Sequence, residues 1–237
     1  MLRPDPAERL LLDLGITEPD EIDVELIAYL AGAIVRYRPL PCGDARILGL
    51  GDRAIITVDA AASPARQRFS VAHELGHWHH HRGRLLACHA TYQLDPACLG
   101  DVEREADRYA ASLLMPRFMM MPLIGNVPIS MALAHQVAER FRVSLLAAAL
   151  RLVDVHAGAF AIVVEGADGR RWFKRSPALD PRWFLWAAGP SGRQAGDGRA
   201  CPAVNWYRGI GLAGLKAAYE MQPLADGRIL HVIGAPA

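Results

Sequence analysis

The chain has 237 residues, enough for one large domain, or for a domain with a small appendage, and for a buried core without cross-links. Hydrophobic residues make up 52% of the chain and charged residues 22%, a balance that excludes a disordered protein. The formal net charge of +1 points to no polyanionic partner.

The first elements that the pattern predicts are a short helix and three strands. Asp23 is a suitable N-cap for the segment VELIAYLAGA, and Gly32 marks its end. In the segments AIVRYRPL, ARILGLG and RAIITVD, which follow, apolar residues recur between polar ones and Gly and Asp separate the runs. We expect three short antiparallel strands here.

The next segment, SPARQRFSVAHELGHWHHH, predicts a helix that begins at Ser63 and Pro64. Ser is a good N-cap and Pro suits the first turn, where its missing N–H costs nothing. Apolar residues occupy much of the circumference, which is typical of a helix buried in the domain. They are Phe69, Val71, Ala72, Leu75 and Trp78.

This helix carries His73, Glu74 and His77 in the order H-E-x-x-H. Residues four apart on a helix lie one turn apart on the same face, so both imidazoles can converge on one ion, and neutral histidines suit Zn²⁺. Glu74 is turned too far to be a third ligand but can reach a water at the open position of the ion. It is the candidate general base.

A catalytic zinc usually has three protein ligands, and the downstream segment GDVEREADRYAASLLMP offers candidates for the third. Asp101 is a plausible N-cap for a helix here. Glu103 shares a face with the apolar Ala106 and Ala110, whereas Glu105 is turned about 160° away from that face. We therefore predict Glu103 as the third ligand.

Asp107 lies four residues after Glu103 and is expected to point inward too. There it could accept the second ring N–H of a ligating histidine and fix its tautomer. The alternative is that Glu103 and Asp107 belong to a solvated helix end near the N-terminal dipole. The upstream H-E-x-x-H motif favours the metal site.

Together, RQRFSVAHELGH and EREADRYAASLLMP, with 25 residues between His77 and Glu103, resemble the ImmA/IrrE family of zinc metallopeptidases. The resemblance implies one zinc per chain on His73, His77 and Glu103, with Glu74 as the base. It also implies a protein substrate, a helix-turn-helix repressor. His81 resembles a histidine often found at this place, and we expect it to be structural, because a fourth ligand would close the open position.

Beyond the motif, the segment LAHQVAERFRVSLLAAALRL predicts two helices that turn at Val143 and Ser144. The second helix offers only Arg151 to base edges, so core packing is favoured over DNA reading and direct contact with nucleic acid is not expected. A hairpin at Asp168-Gly169 and a strand in GRILHVIG follow.

Some features leave alternatives open. The basic cluster RRWFKR could bind nucleic acid or an acidic partner, although a solvated strand face is the favoured interpretation. The stretch from Ala188 to Pro202 has the composition of a loop. A residue that stabilises the oxyanion of a peptidase could be any of His89, Tyr92, Tyr109 and His135.

We therefore expect an α+β fold with a small antiparallel sheet on a helical zinc-peptidase core. The expected divisions are a metallopeptidase core at 1–126, a helix-turn-helix-like segment at 127–155 and a small C-terminal β-containing unit at 156–237. No C-x-x-C pair, apolar leader or membrane-length apolar run is found, so a cytoplasmic location without a membrane segment is expected.

The predicted function is that of a zinc metalloendopeptidase acting on a repressor. A zinc-stabilised module that binds a repressor or senses a signal without proteolysis is the alternative. A DNA-binding regulator is a third hypothesis, which the apolar second helix argues against.

Overall fold

The computed structural model describes residues 3–81, 86–90, 100–125, 127–185 and 200–237. The chain forms two compact units. The first comprises Met1–Pro122 and Glu139–Ser144, and the second comprises Leu123–Ala138 and Leu145–Ala237. Helices and mainly antiparallel sheets make up both units, which confirms the α+β class. The three-part division of the sequence stays a prediction.

Helices provide most of the first unit. They are α1 (Pro6–Asp13), a 3-10 helix (Pro19–Glu21), α2 (Val24–Leu30), α3 (Pro64–His81), α4 (Asp101–Leu114) and α5 (Arg117–Ile124). As predicted, the Asp23 carboxylate accepts hydrogen bonds from the first N–H groups of α2, and the Ser63 hydroxyl accepts one at the start of α3. None of the helices in the described part of the chain has the length and apolar character that crossing a membrane requires.

The first unit also contains a four-stranded sheet in the order β1-β3-β2-β4. The strands are β1 (Ala33–Arg38), β2 (Ala45–Leu50), β3 (Arg53–Asp59) and β4 (Leu86–Ala90). The prediction of three antiparallel strands is wrong for one pair, because β1 runs parallel to β3. The β2–β3 hairpin is antiparallel, and β2 fills the place between β3 and β4.

Helix α3 packs against the inner face of this sheet. The indole of Trp78 lies over Gly49 of β2, where a methyl group would come within 2.6 Å of the ring. Its Nε1 donates to the Ala31 carbonyl at 2.8 Å, which also ties α3 to the end of α2. Ile47 and Ile56 complete the buried layer beneath the helix. This packing holds the motif helix in the interior, as predicted.

The segment Glu139–Ser144 returns to the first unit and is held there by charge. The Arg140 guanidinium contacts Asp20 at 2.6 Å and Glu18 at 3.0 Å. Both acids belong to the N-terminal region around the 3-10 helix. The first unit is thus assembled from two stretches of the chain.

The second unit contains α6 (Met131–Phe141) up to Ala138, α7 (Leu145–Val155) and a second sheet. The sheet has the order β11-β12-β5-β6 and is antiparallel throughout. Its strands are β5 (Phe160–Glu165), β6 (Arg171–Arg175), β11 (Tyr219–Pro223) and β12 (Ile229–Gly234). Four short strands form two further ladders: β7 (Phe184–Leu185) with β9 (Tyr207–Arg208), and β8 (Cys201–Pro202) with β10 (Lys216–Ala217).

The predicted C-terminal elements are confirmed. The β5–β6 hairpin turns through Asp168 and Gly169, and the Gly169 φ of 77° is one that glycine adopts without strain. The strand in GRILHVIG is β12. Helix α7 packs its apolar face against β5 and β6, so this face is core.

The basic side chains on β6 form ion pairs and hydrogen bonds within the protein. Arg171 pairs with Glu165 at 2.6 Å, and Lys174 pairs with Asp154 at 2.7 Å. The Arg175 guanidinium donates to backbone carbonyls, among them Leu179 at 2.6 Å. These pairings involve the three basic residues of β6, whereas Arg170, which precedes the strand, is exposed. Of the predicted loop from Ala188 to Pro202, residues 188–199 lie outside the described residues.

Candidate metal centre

Helices α3 and α4 approach so closely at Gly76 that no side chain would fit between them. A methyl group on Gly76 would lie 2.9 Å from the Ala106 Cα and 3.0 Å from the Ala106 carbonyl oxygen. Ala106 and Ala110 on the facing side of α4 are fully buried. The sequence interpretation assigned no role to Gly76, although a glycine in the middle of a helix is itself a signal of such packing.

This approach brings the three predicted ligands together. His73 and His77 place their Nε2 atoms 2.9 Å apart. Each carboxylate oxygen of Glu103 contacts one of these nitrogens. Oε2 lies 3.3 Å from His73 Nε2, and Oε1 lies 3.4 Å from His77 Nε2. One ligand atom from each residue falls within 4.8 Å of the others. The group could therefore hold a metal ion.

The remaining ring nitrogen of His73 contacts Asp107, with Nδ1 and Oδ1 2.8 Å apart. Burial lowers the pKa of His73, but hydrogen bonds with Asp107 and Glu103 outweigh it and raise that pKa to about 9. The surroundings of the histidines thus favour positive charge. A bond from Nδ1–H to Asp107 would leave the Nε2 lone pair directed at the cluster, as metal coordination requires.

Glu74 is fully buried, and neither of its carboxylate oxygens has a hydrogen-bond partner among the described residues. Burial is the largest influence and raises the pKa of this carboxyl to about 7, while His73 lowers it and Glu103 raises it. A buried carboxylate without a protein partner is costly to maintain. With a pKa near neutrality, this carboxyl group can both accept and donate a proton at neutral pH.

Other acids of α4 face away from the cluster. Glu105 is exposed, in agreement with the helical phase that favoured Glu103. The prediction of Asp101 as the N-cap is wrong by one residue. Asp101 is the first residue of the helix, and Gly100 is the N-cap. The Asp101 carboxylate pairs with Arg104 instead.

Of the four residues proposed to stabilise the oxyanion, the structure describes the side chains of two. Tyr109 is buried on α4 and stacks on His79 with 5.2 Å between ring centroids. His135 belongs to the second unit and contacts Gln222 at 2.6 Å. Tyr92 lies outside the described residues, as do the side chains of His81 and His89.

Comparison with known proteins identifies the family. The model of the IrrE N-terminal-like domain (Peptidase_M78) matches residues 31–153. Among solved structures, a Mycobacterium tuberculosis transcriptional regulator is similar in fold, with a TM-score of 0.58 and 14% identity over 97% of this chain and 86% of that chain. No curated protein matches the sequence significantly. The family match covers more than half of the chain and contains the whole His73–His77–Glu103 cluster, and the chain therefore belongs to the Peptidase_M78 family.

Proposed function

We propose that the chain is a zinc-dependent metalloendopeptidase that cleaves a helix-turn-helix repressor. One observation carries the proposal: the Glu74 carboxylate is fully buried and unpartnered among the described residues, beside a two-histidine, one-glutamate group. A purely structural metal site has no use for such a carboxylate. A peptidase uses it as a general base.

His73, His77 and Glu103 would hold the metal, and this donor set of two imidazoles and one carboxylate is typical of catalytic zinc. When bound, zinc lowers the pKa of water and polarises a carbonyl oxygen. Asp107 orients His73 through Nδ1.

Glu74 moves the protons of the reaction. Its carboxylate accepts a proton from the attacking water as the new C–O bond forms at the peptide carbonyl carbon. The same carboxyl then donates that proton to the leaving amide nitrogen as the C–N bond breaks. A pKa near neutrality suits both steps, because the group must be ionised before the attack and protonated after it.

The substrate assignment rests on the family resemblance. The ImmA/IrrE likeness implies a repressor, and the protein of similar fold is itself described as a transcriptional regulator. A repressor encoded beside this gene is the first substrate to test.

The decisive variant is Glu74→Gln, which keeps the size of the side chain and removes the base. We expect it to retain about one zinc per chain and to lose about 10²–10⁴-fold in the rate of repressor cleavage. Zinc content is measured by atomic absorption and cleavage by gel electrophoresis of the purified repressor. Cleavage by the variant at the wild-type rate contradicts the mechanism.

The wild-type protein treated with a chelator serves as the second control. Loss of cleavage on chelation and its return with zinc are expected. A repressor that leaves its DNA but stays intact would instead indicate a binding module.

A further inference from the structure

The outer face of the first sheet is solvent-exposed and carries positive charge. Successive side chains of a strand point to opposite faces, and the inner set lies under α3. The other set forms what we name the outer sheet face. Across β1, β2 and β3 it consists of Ile34, Arg36, Arg38, Arg46, Leu48, Leu50, Arg53, Ile55, Thr57 and Asp59.

The strand register arranges these side chains in rows. Ile34, Ile55 and Leu48 are direct neighbours across β1, β3 and β2, which gives an aliphatic row. Ile34 is 46% exposed and Leu48 is 59% exposed. Apolar side chains that adjoin one another at this exposure form a patch rather than isolated surface residues.

The adjoining row carries charge. Arg36 and Arg46 flank Thr57 on either side, roughly 10 Å apart as strand spacing dictates. Arg38 follows two residues after Arg36 on the same face. All three arginines are exposed.

No ion pair joins Arg36, Arg38 or Arg46 to an acid among the described residues. Asp59 lies opposite Arg38, but its carboxylate accepts hydrogen bonds from the backbone N–H groups of Leu40 and Ala61. The three arginines thus differ from Arg66, which pairs with Asp44 at 2.6 Å, and from Arg171, which pairs with Glu165. Guanidinium groups match carboxylates in a two-pronged geometry. The guanidinium groups on the outer sheet face are therefore available to carboxylates of another molecule.

We propose that the outer sheet face docks an acidic, amphipathic segment of a partner protein. Its carboxylates bind Arg36, Arg38 and Arg46, and its aliphatic side chains cover Ile34 and Leu48. Arginine is enriched in protein interfaces, and the centre of such an interface is apolar. Single-stranded nucleic acid would be met by aromatic side chains, and none stands on this face in the described part of the chain.

This face lies on the opposite side of the sheet from α3, which carries His73 and His77. A partner docked there leaves the metal centre uncovered. The proposal therefore stands or falls separately from the peptidase activity.

The test uses the full-length chain and fluorescence anisotropy at low salt. The probe is a labelled Glu/Leu peptide of about 12 residues, which spans roughly 18 Å as a helix, close to the width of the sheet. The same peptide with Gln for Glu, and single-stranded and duplex DNA of equal charge, are measured in parallel. We expect the Glu/Leu peptide to bind most tightly and to weaken as salt is added.

The variant is the double substitution Arg36→Glu and Arg46→Glu, for which we expect at least about a tenfold loss of peptide affinity. Its matched control is Arg3→Glu with Arg9→Glu, two exposed arginines of the N-terminal region, for which less than about a twofold loss is expected. Leu48→Ser should weaken the Glu/Leu peptide but leave binding of an all-Glu peptide unchanged.

Circular dichroism confirms that each variant is folded. Three results overturn the proposal: DNA that binds more tightly than the Glu/Leu peptide, an equal loss in both double variants, or no binding of the Glu/Leu peptide to the wild-type chain.

Discussion

Two carboxylates on α4 that lie two residues apart have different surroundings. Asp107 contacts His73 Nδ1 at 2.8 Å, whereas Glu105 is exposed. Helical rotation alone accounts for the difference, because two residues turn a side chain through about 200°. The two residues therefore form a matched pair for testing how a carboxylate behind the proposed ligand His73 supports metal binding.

We expect Asp107→Asn to lower zinc affinity about 10–100-fold, because the amide binds the His73 ring N–H more weakly than the carboxylate does. Competition with a chromogenic chelator measures the change. Glu105→Gln, on the solvent side of the same helix, should leave the affinity unchanged. Equal affinities for Asp107→Asn and the wild type would show that Asp107 does not support the ligand.

At this scale the sequence predicted which residues would meet. Spacing on one helix was enough for His73 and His77, and phase against Ala106 and Ala110 favoured Glu103 over Glu105. The N-cap at Asp101 was predicted one residue too late, since capping by Gly100 involves no side-chain signal. The 25 residues between His77 and Glu103 do not define a distance, so only the fold could bring Glu103 to the rings.

Among the elements, the contact between α3 and α4 depends on the missing side chain at Gly76. In an ordinary helix interior, Gly→Ala gains roughly 0.5–1 kcal/mol. Here the added methyl group meets backbone atoms of Ala106 at 2.9 and 3.0 Å, and backbone cannot rotate away. The steric cost therefore exceeds the gain in helix propensity.

Gly76→Ala should accordingly lower the free energy of unfolding by about 1–3 kcal/mol and weaken zinc binding, because α4 carries Glu103 away from His77. Urea denaturation and the chelator competition report the two effects. Gly100→Ala, where a methyl group has nothing within 4 Å, should cost less than about 1 kcal/mol and leave zinc binding intact. A stabilised Gly76→Ala variant would mean that the helices are farther apart than described.

Elements were predicted more securely than their arrangement. The helix of the H-E-x-x-H motif and the β5–β6 hairpin have local signals, a Ser-Pro start and an Asp-Gly turn. The direction of β1 has none, because alternation of side chains is the same in parallel and antiparallel strands. Strands β1 and β2 are consecutive in the chain but are separated in the sheet by β3. No residue in the connection between them predicts this order.

At the scale of the whole molecule, stability depends on pH through buried titratable groups, and His231 in the second unit is one of them. It is fully buried between Tyr219, whose hydroxyl lies 2.7 Å from Nδ1, and Glu165, whose carboxylate lies 3.6 Å from Nε2. Burial is the main reason that its pKa falls to about 4, with Arg171 lowering it further and Glu165 opposing. The fold therefore holds this imidazole neutral.

Acid should destabilise the protein through this residue. In the unfolded chain His231 binds a proton at its ordinary pKa of 6.5, whereas in the folded chain it does so only near pH 4. The contribution of the neutral imidazole to the free energy of unfolding is therefore fully present above pH 6.5 and is lost as the pH falls from 6.5 to about 4. The free energy of unfolding that is lost on full protonation of His231 is about 3 kcal/mol. Urea denaturation at several pH values measures it.

The variant His231→Asn isolates this contribution, since its amide does not titrate and can still accept from Tyr219. We expect the dependence of unfolding free energy on pH to flatten in this variant. His135→Asn, an exposed position, should keep the wild-type dependence. Identical curves for His231→Asn and the wild type would assign the acid sensitivity elsewhere.

The return of Glu139–Ser144 to the first unit has a consequence for biosynthesis. As the chain leaves the ribosome, the acids at Glu18 and Asp20 emerge long before Arg140, their partner. The first unit cannot complete its contacts until residue 144 has been translated, by which time part of the second unit is already present. A fragment that stops at Pro122 would lack that counter-charge permanently, and excision of the first unit therefore requires a chain extending through Ser144.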